Sequence, residues 1–195
     1  MIRISLLALP LVALALLPGC REDRAAALPE PVAMTEEAVG HYCQMHLLEH
    51  AGPKAQVHLD GNPYPLFFSQ VRDAIAYQRM PEQSHFIAVI YVSDMGAEGA
   101  TWENPGAMNW IEAGQAHYVV GAAIEGGMGA PELIPFAARE SAESFAAEHG
   151  GRVLALADIG DGEVLAPVEF EGDIGAEDDG DFEERLRALS GESGG

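Results

Sequence analysis

Lysine is almost missing from this chain: Lys54 is the only one in 195 residues, and ten Lys+Arg face 31 Asp+Glu for a formal charge of -21. Phosphate neutralisation needs clustered cations, so binding to nucleic acid is excluded. Cysteine is equally scarce. Cys20 and Cys43 could form at most one disulfide, which rules out a disulfide-stapled scaffold. No Cys-x-x-Cys, Gly-x-Ser-x-Gly, His-Glu-x-x-His or phosphate-cradling glycine loop followed by Lys-Ser/Thr occurs, and no carboxylate pair stands out as a general acid and base. Nothing in the sequence demands an enzyme. What is present is 48% hydrophobic residues, enough for one or two packed cores despite the charge.

The apolar run from Leu6 to Leu17 is too short to span a bilayer. It follows a basic start at Arg3 and ends in Leu17-Pro18-Gly19-Cys20. That pattern is a signal peptide over residues 1–19, and its end resembles the lipobox of bacterial lipoproteins, with Cys20 as the acylated new N-terminus. An ordinary cleaved signal or an uncleaved anchor is the plainer alternative. Maturation at Cys20 removes only Arg3 among charged residues and takes the charge to -22. Residues 20–37, rich in Ala, Pro and charge, are expected to form a disordered tether, with the folded part starting near Thr35.

From Ala55 the residues alternate or run apolar to Asp60, turn at Gly61-Asn62, and run apolar again to Phe68. Val71, Ala74, Ile75 and Met80 then fall on one helical face, and Ile87 to Val92 has the β-branched character of a buried strand. The order β-β-α-β recurs later: Ala116 to Ile124, a glycine-rich connection, Leu133 to Phe136, a helix over 137–150, and a strand from Arg152. In this alignment Phe68 matches Phe136 and Phe86 matches Leu154, and Gly150-Gly151 stops the second helix. The expected architecture is α+β, with two tandem β-β-α-β units over 38–98 and 111–160 joined by a loop over 99–110. Residues 161–195 carry 12 Asp+Glu against two arginines and read as a disordered acidic tail; a weak, labile cation site is the sharper alternative.

The chemistry gathers around the second cysteine. His41, Cys43, Met45, His46 and His50 place a thiol, a thioether and three imidazoles within ten residues. If the segment is extended, Cys43 and Met45 project to one face and both sulfurs can reach one ion. A thiolate with a thioether suits Cu(I), whereas Zn(II) prefers several thiolates or imidazoles. The alternative is a buried cysteine packed as a small hydrophobe beside a core methionine. Met128, in Gly126-Gly127-Met128-Gly129, could add a third soft ligand, or could merely cover the edge of a hairpin. Met95 and Met108 are weaker candidates of the same kind. His117, on an expected strand, could face inward to the same site.

Taken together these blocks resemble the NosL lipoproteins, copper chaperones encoded with nitrous oxide reductase. The resemblance rests on Cys20, on Cys43-Gln44-Met45, on Glu49 to Gln56, on Phe68-Ser69-Gln70-Val71-Arg72-Asp73 and on Tyr91 to Gly96. It extends through Trp110 to Ala113, Tyr118 to Gly121, Gly126 to Glu132 and Phe145 to Gly151, and it leaves the acidic tail outside. It implies a periplasmic carrier, lipid-anchored in the outer membrane, which binds one Cu(I) and passes it to the machinery that matures the reductase's copper centres. It implies a fold similar to a segment of organomercurial lyase. Cys43 and Met45 match the family's copper motif, in which glycine is frequent between the sulfurs where Gln44 stands here. Met128 carries over as the remaining ligand, with His46, His50 and His117 as competitors. Two other readings are a thiol enzyme of organomercurial-lyase type and a scaffolding lipoprotein with no metal of its own.

Overall fold

A computed structural model describes residues 27–167. The signal peptide, Cys20 and most of the acidic tail lie outside the described residues. The architecture is α+β, built on two antiparallel sheets. The first, ordered β2-β1-β3-β4, contains β1 (Ala55–Leu59), β2 (Leu66–Phe68), β3 (Ile87–Ser93) and β4 (Trp110–Glu112). The second, ordered β6-β5-β7, contains β5 (His117–Glu125), β6 (Pro131–Phe136) and β7 (Arg152–Ala155). Helix α1 (Val71–Arg79) follows β2, α2 (Arg139–His149) follows β6, and the short α3 (Asp161–Val164) closes the described chain. Ile111 was expected to open the second unit, but β4 pairs with β3, with Val92 opposite Ile111, so it is an edge strand of the first sheet.

The main core lies between the sheets and around α1. Val71, Ala74 and Ile75 are fully buried there with Val57, Val92, Tyr118 and Leu133. Each buried aliphatic side chain contributes on the order of 2 kcal/mol. Met80 does not join them: it lies past the end of α1, is 40% exposed, and accepts a hydrogen bond from Tyr42 Oη at 3.7 Å. Phe86 also differs from expectation, preceding β3 and standing 84% exposed. Alternation along β5 explains its unbroken apolar run: Tyr118 and Val120 face the main core, and Val119 faces a second core with Ile134, Phe136 and Ala142 of α2. Gly150, at φ 76°, ends α2 as the sequence suggests.

Strand β1 alternates apolar and polar residues, yet all five are buried, because the chain before Thr35 packs over the polar face. Gln56 pairs with the Val32 backbone, its Oε1 accepting the amide N–H at 2.9 Å and its Nε2 donating to the carbonyl at 3.0 Å. His58 Nε2 lies 2.8 Å from the same Oε1, and Tyr91 Oη donates to Pro29 O at 2.8 Å. Met34 is buried with Ala38 and Leu47 in a small third core. The expected tether therefore ends as an ordered strap: residues 29–34 belong to the folded body. At the other end, Arg72 and Arg79 on α1 donate to the backbone carbonyls of Glu163, Ala166, Ile159 and Leu156, and Val164 is buried. The first residues assigned to an acidic tail are thus packed on the fold.

Candidate metal site

The segment before β1 is folded on itself. Gly40 and Phe67 form a parallel bridge, Val39 and His46 an antiparallel one, and Leu47, fully buried, anchors the exit. Between the bridges the chain reverses: Gln44 N–H donates to Gly40 O at 2.9 Å, and Gly40 N–H donates to Met45 O at 2.9 Å. Cys43 and Met45 thus sit on a tight turn, not on the extended segment the sequence suggested. Gln44 occupies the left-handed region at φ 57°, a conformation that disfavours side chains by about 1–2 kcal/mol. Its Nε2 donates to His41 O at 2.7 Å and to Gly40 O at 3.3 Å, which offsets part of that strain.

The turn leaves Cys43 half-buried and Met45 40% exposed. The thiol folds over Gly40, where a Cβ would collide with Sγ, and lies 3.7 Å from Ser69 Oγ. Ser69 lies between β2 and α1, so the connection between them carries a polar group that faces the sulfur. Sequence reasoning missed Ser69 because its contact with Cys43 spans 26 positions.

The glycine-rich segment forms a turn, Gly129 N–H donating to Gly126 O at 2.9 Å and Gly126 N–H to Ala130 O at 2.8 Å. Its two leading glycines are needed for close approach. A Cβ on Gly126 would collide with the Gln70 amide, and one on Gly127 would meet Ala51 O and stand 3.0 Å from His50 Cβ. The turn, on which Met128 is half-buried, is seated between His50-Ala51 on one side and Gln70 on the other.

The three histidine candidates separate. His46 is exposed, in a shallow depression with Glu36, Leu48 and Glu49. His50 is half-buried, with Nδ1 3.4 Å from Gly127 O and a buried Nε2 that has no partner among the described residues. His117 pairs with Phe136 and shares the α2 side of β5 with Val119, opposite the face that meets α1. Among the described residues no three His, Cys, Asp or Glu side chains converge to hold an ion. Among these residues, then, no ready-made site of three nitrogen or oxygen ligands is found.

Fold and site define a small α+β protein that presents a thiol and a thioether on a strained surface turn. The NosL family model matches residues 31–164, and the chain belongs to the NosL family. It is 60% identical over 183 residues, 94% of each chain, to the copper-binding lipoprotein NosL of Achromobacter cycloclastes. It is 36% identical over 144 residues, 73% of each, to the copper-binding lipoprotein NosL of Stutzerimonas stutzeri. The crystal structure of the copper chaperone NosL from Shewanella denitrificans superposes with a TM-score of 0.62 at 28% identity, covering 67% of this chain and 96% of that one.

Proposed function

We propose that this protein is a membrane-anchored copper chaperone that carries one Cu(I) on Cys43 and Met45, with the third donor drawn from the Met128 turn and His50. The observation that carries this reading is the turn itself: it exposes a thioether beside a half-buried thiol, in a chain whose described His, Cys, Asp and Glu residues form no competing cluster. The names of the relatives support a copper-carrying role, and the chain is not an enzyme. His50 is the best placed nitrogen competitor because its Nε2 is buried with no partner among the described residues, while His46 faces solvent and His117 lies across the second sheet.

Cu(I) accepts two or three soft ligands, so a site with an open side releases its cargo by exchange. A donor atom of the acceptor enters from the Met45 side, forms a shared intermediate, and takes the ion as the Cys43 thiolate lets go. The acceptor in this reading is the machinery that loads the copper centres of nitrous oxide reductase, and acylated Cys20 holds the protein on the periplasmic face of the outer membrane. The finer architecture belongs to the same proposal: element orders β1-β2-α1-β3 and β5-β6-α2-β7 are what two tandem β-β-α-β units similar to organomercurial lyase would give. A thiol enzyme would need a second thiol or a carboxylate beside Cys43, and the polar group recorded at its sulfur is the Ser69 hydroxyl.

Copper K-edge X-ray absorption of the Cu(I)-loaded protein tests the site, with at least two sulfur neighbours expected and a nitrogen- or oxygen-only shell contradicting it. Delivery is tested in cells lacking this protein: the reductase should accumulate with depleted copper centres, and full loading would contradict the role.

A further inference from the structure

The two halves of the molecule meet where the Met128 turn is seated, and the polar groups that join them there are buried. Gln70 is 1% exposed, and its Nε2 donates to Ala130 O at 3.4 Å while the turn's Gly126 rests on the same amide. Glu132, 4% exposed on β6, reaches across to α1: its Oε1 accepts the Arg72 N–H at 3.0 Å as well as the Leu133 N–H at 2.8 Å. No side chain of α1's own N-cap, Gln70, satisfies that first turn, so its acceptor comes from a residue 60 positions away. On the other side of the turn, fully buried Lys54 donates to Ala51 O at 3.1 Å and Gly52 O at 2.5 Å, fixing the backbone against which Gly127 packs.

Two of these contacts end close to a candidate ligand, and one of the two begins beside a neighbour of Cys43. Gln70 follows Ser69, whose Oγ is 3.7 Å from Cys43 Sγ; Ala130 is two residues beyond Met128; Ala51 follows His50. Stability alone does not call for such groups, since a buried polar pair can be replaced by well-packed apolar side chains at little loss. What directional hydrogen bonds add is a fixed distance and orientation, the contribution that outer partners make to metal ligands.

We propose that Gln70 and Glu132 are positioning residues for the metal site, struts that hold the Gly126–Ala130 turn, and Met128 with it, at a set distance from Ser69 and Cys43. The proposal rests on the reading of Cys43, Met45 and Met128 as Cu(I) ligands. With the struts in place the third ligand is already aligned when the ion arrives. Without them the turn must be ordered at the moment of binding.

The test uses the purified protein with Gln70→Ala, Glu132→Gln, Glu132→Ala, Met128→Leu, Cys43→Ser and the Gln70→Ala/Met128→Leu double variant. Cu(I) affinity is measured by competition with a chromophoric chelator, sulfur coordination by X-ray absorption, and folding of the apo form by thermal unfolding. Gln70→Ala should weaken Cu(I) binding about tenfold and remove one sulfur neighbour, with the unfolding midpoint lowered by no more than about 5 °C. Added to Met128→Leu, it should cause no further loss. Glu132→Gln keeps an acceptor oxygen for both amides and should retain most of the affinity that Glu132→Ala loses. Should Gln70→Ala fail to fold, Gln70→Met, similar in length and without the amide, carries the same comparison. An effect on the midpoint alone, an additive loss in the Met128→Leu background, or wild-type affinity in Met128→Leu overturns the proposal. Wild-type affinity in Cys43→Ser would instead remove the copper-site reading beneath it.

Discussion

The Oγ of Ser69, just past β2, lies 3.7 Å from the Sγ of Cys43. Ser69 is 4% exposed, so its hydroxyl has little water to turn to. A hydroxyl that donates to a thiolate stabilises the charged form. Ser69→Ala should therefore weaken Cu(I) binding by about 1 kcal/mol, roughly fivefold. Chelator competition checks this; unchanged affinity would mean that the hydroxyl does not support the thiolate.

The left-handed Gln44 makes the turn sensitive to what occupies that position. Glycine there relieves about 1 kcal/mol of strain but enlarges the freedom of the unfolded chain by a similar amount and also gives up the bonds to His41 O and Gly40 O, so Gln44→Gly should cost about 0.5–1 kcal/mol. Gln44→Val combines β-branching with the loss of the bonds to His41 O and Gly40 O, and should cost on the order of 2 kcal/mol. Denaturant unfolding of the three proteins checks the order.

Burial pushes the Glu132 carboxyl from its ordinary value of 4.5 up to about 8, against the pull of the Arg72 and Leu133 amides and of Lys54. Between those pH values the native state keeps a proton that the unfolded chain has released. The contribution of Glu132 is fully present below about pH 4.5 and is lost as pH rises toward 8. Glu132→Gln should remove that decline, seen as a flatter pH dependence of unfolding free energy between those limits; identical slopes would contradict it.

Gln56 holds the strap through both hydrogen bonds to Val32. Gln56→Ala leaves those backbone groups without partners and should destabilise the protein by about 1–3 kcal/mol. Hydrogen exchange at the Val32 amide should accelerate more than exchange in β5. Uniform acceleration across the sheets would mean that the strap does not open separately.

Much of the fold could be read directly from the sequence. Val71, Ala74 and Ile75 mark α1 by helical spacing, the β-branched run marks β3, and Gly150 marks the end of α2. The errors share a cause, which is contact between distant residues. The strap looked like a tether because it is rich in Ala, Pro and charge, and its partner Gln56 lies 24 positions away. The start of the acidic segment is held by Arg72 and Arg79, more than 80 positions upstream. In the candidate site, Cys43 and Met45 stood out by chemistry, but the turn they form depends on an uncommon backbone conformation at Gln44 that no propensity favours. Ser69, Gln70 and Glu132 lay inside blocks that carried the family resemblance, but nothing local marked them as site residues, since each matters through an element it is not part of.

The measurement that bears most directly on the copper reading is Cu(I) titration of wild type, Cys43→Ser and Met45→Leu against a chromophoric chelator. Wild type should bind one equivalent, Cys43→Ser should lose most of its affinity, and Met45→Leu should lose less, because a thiolate is the stronger ligand. Equal affinity in wild type and Cys43→Ser would contradict the account.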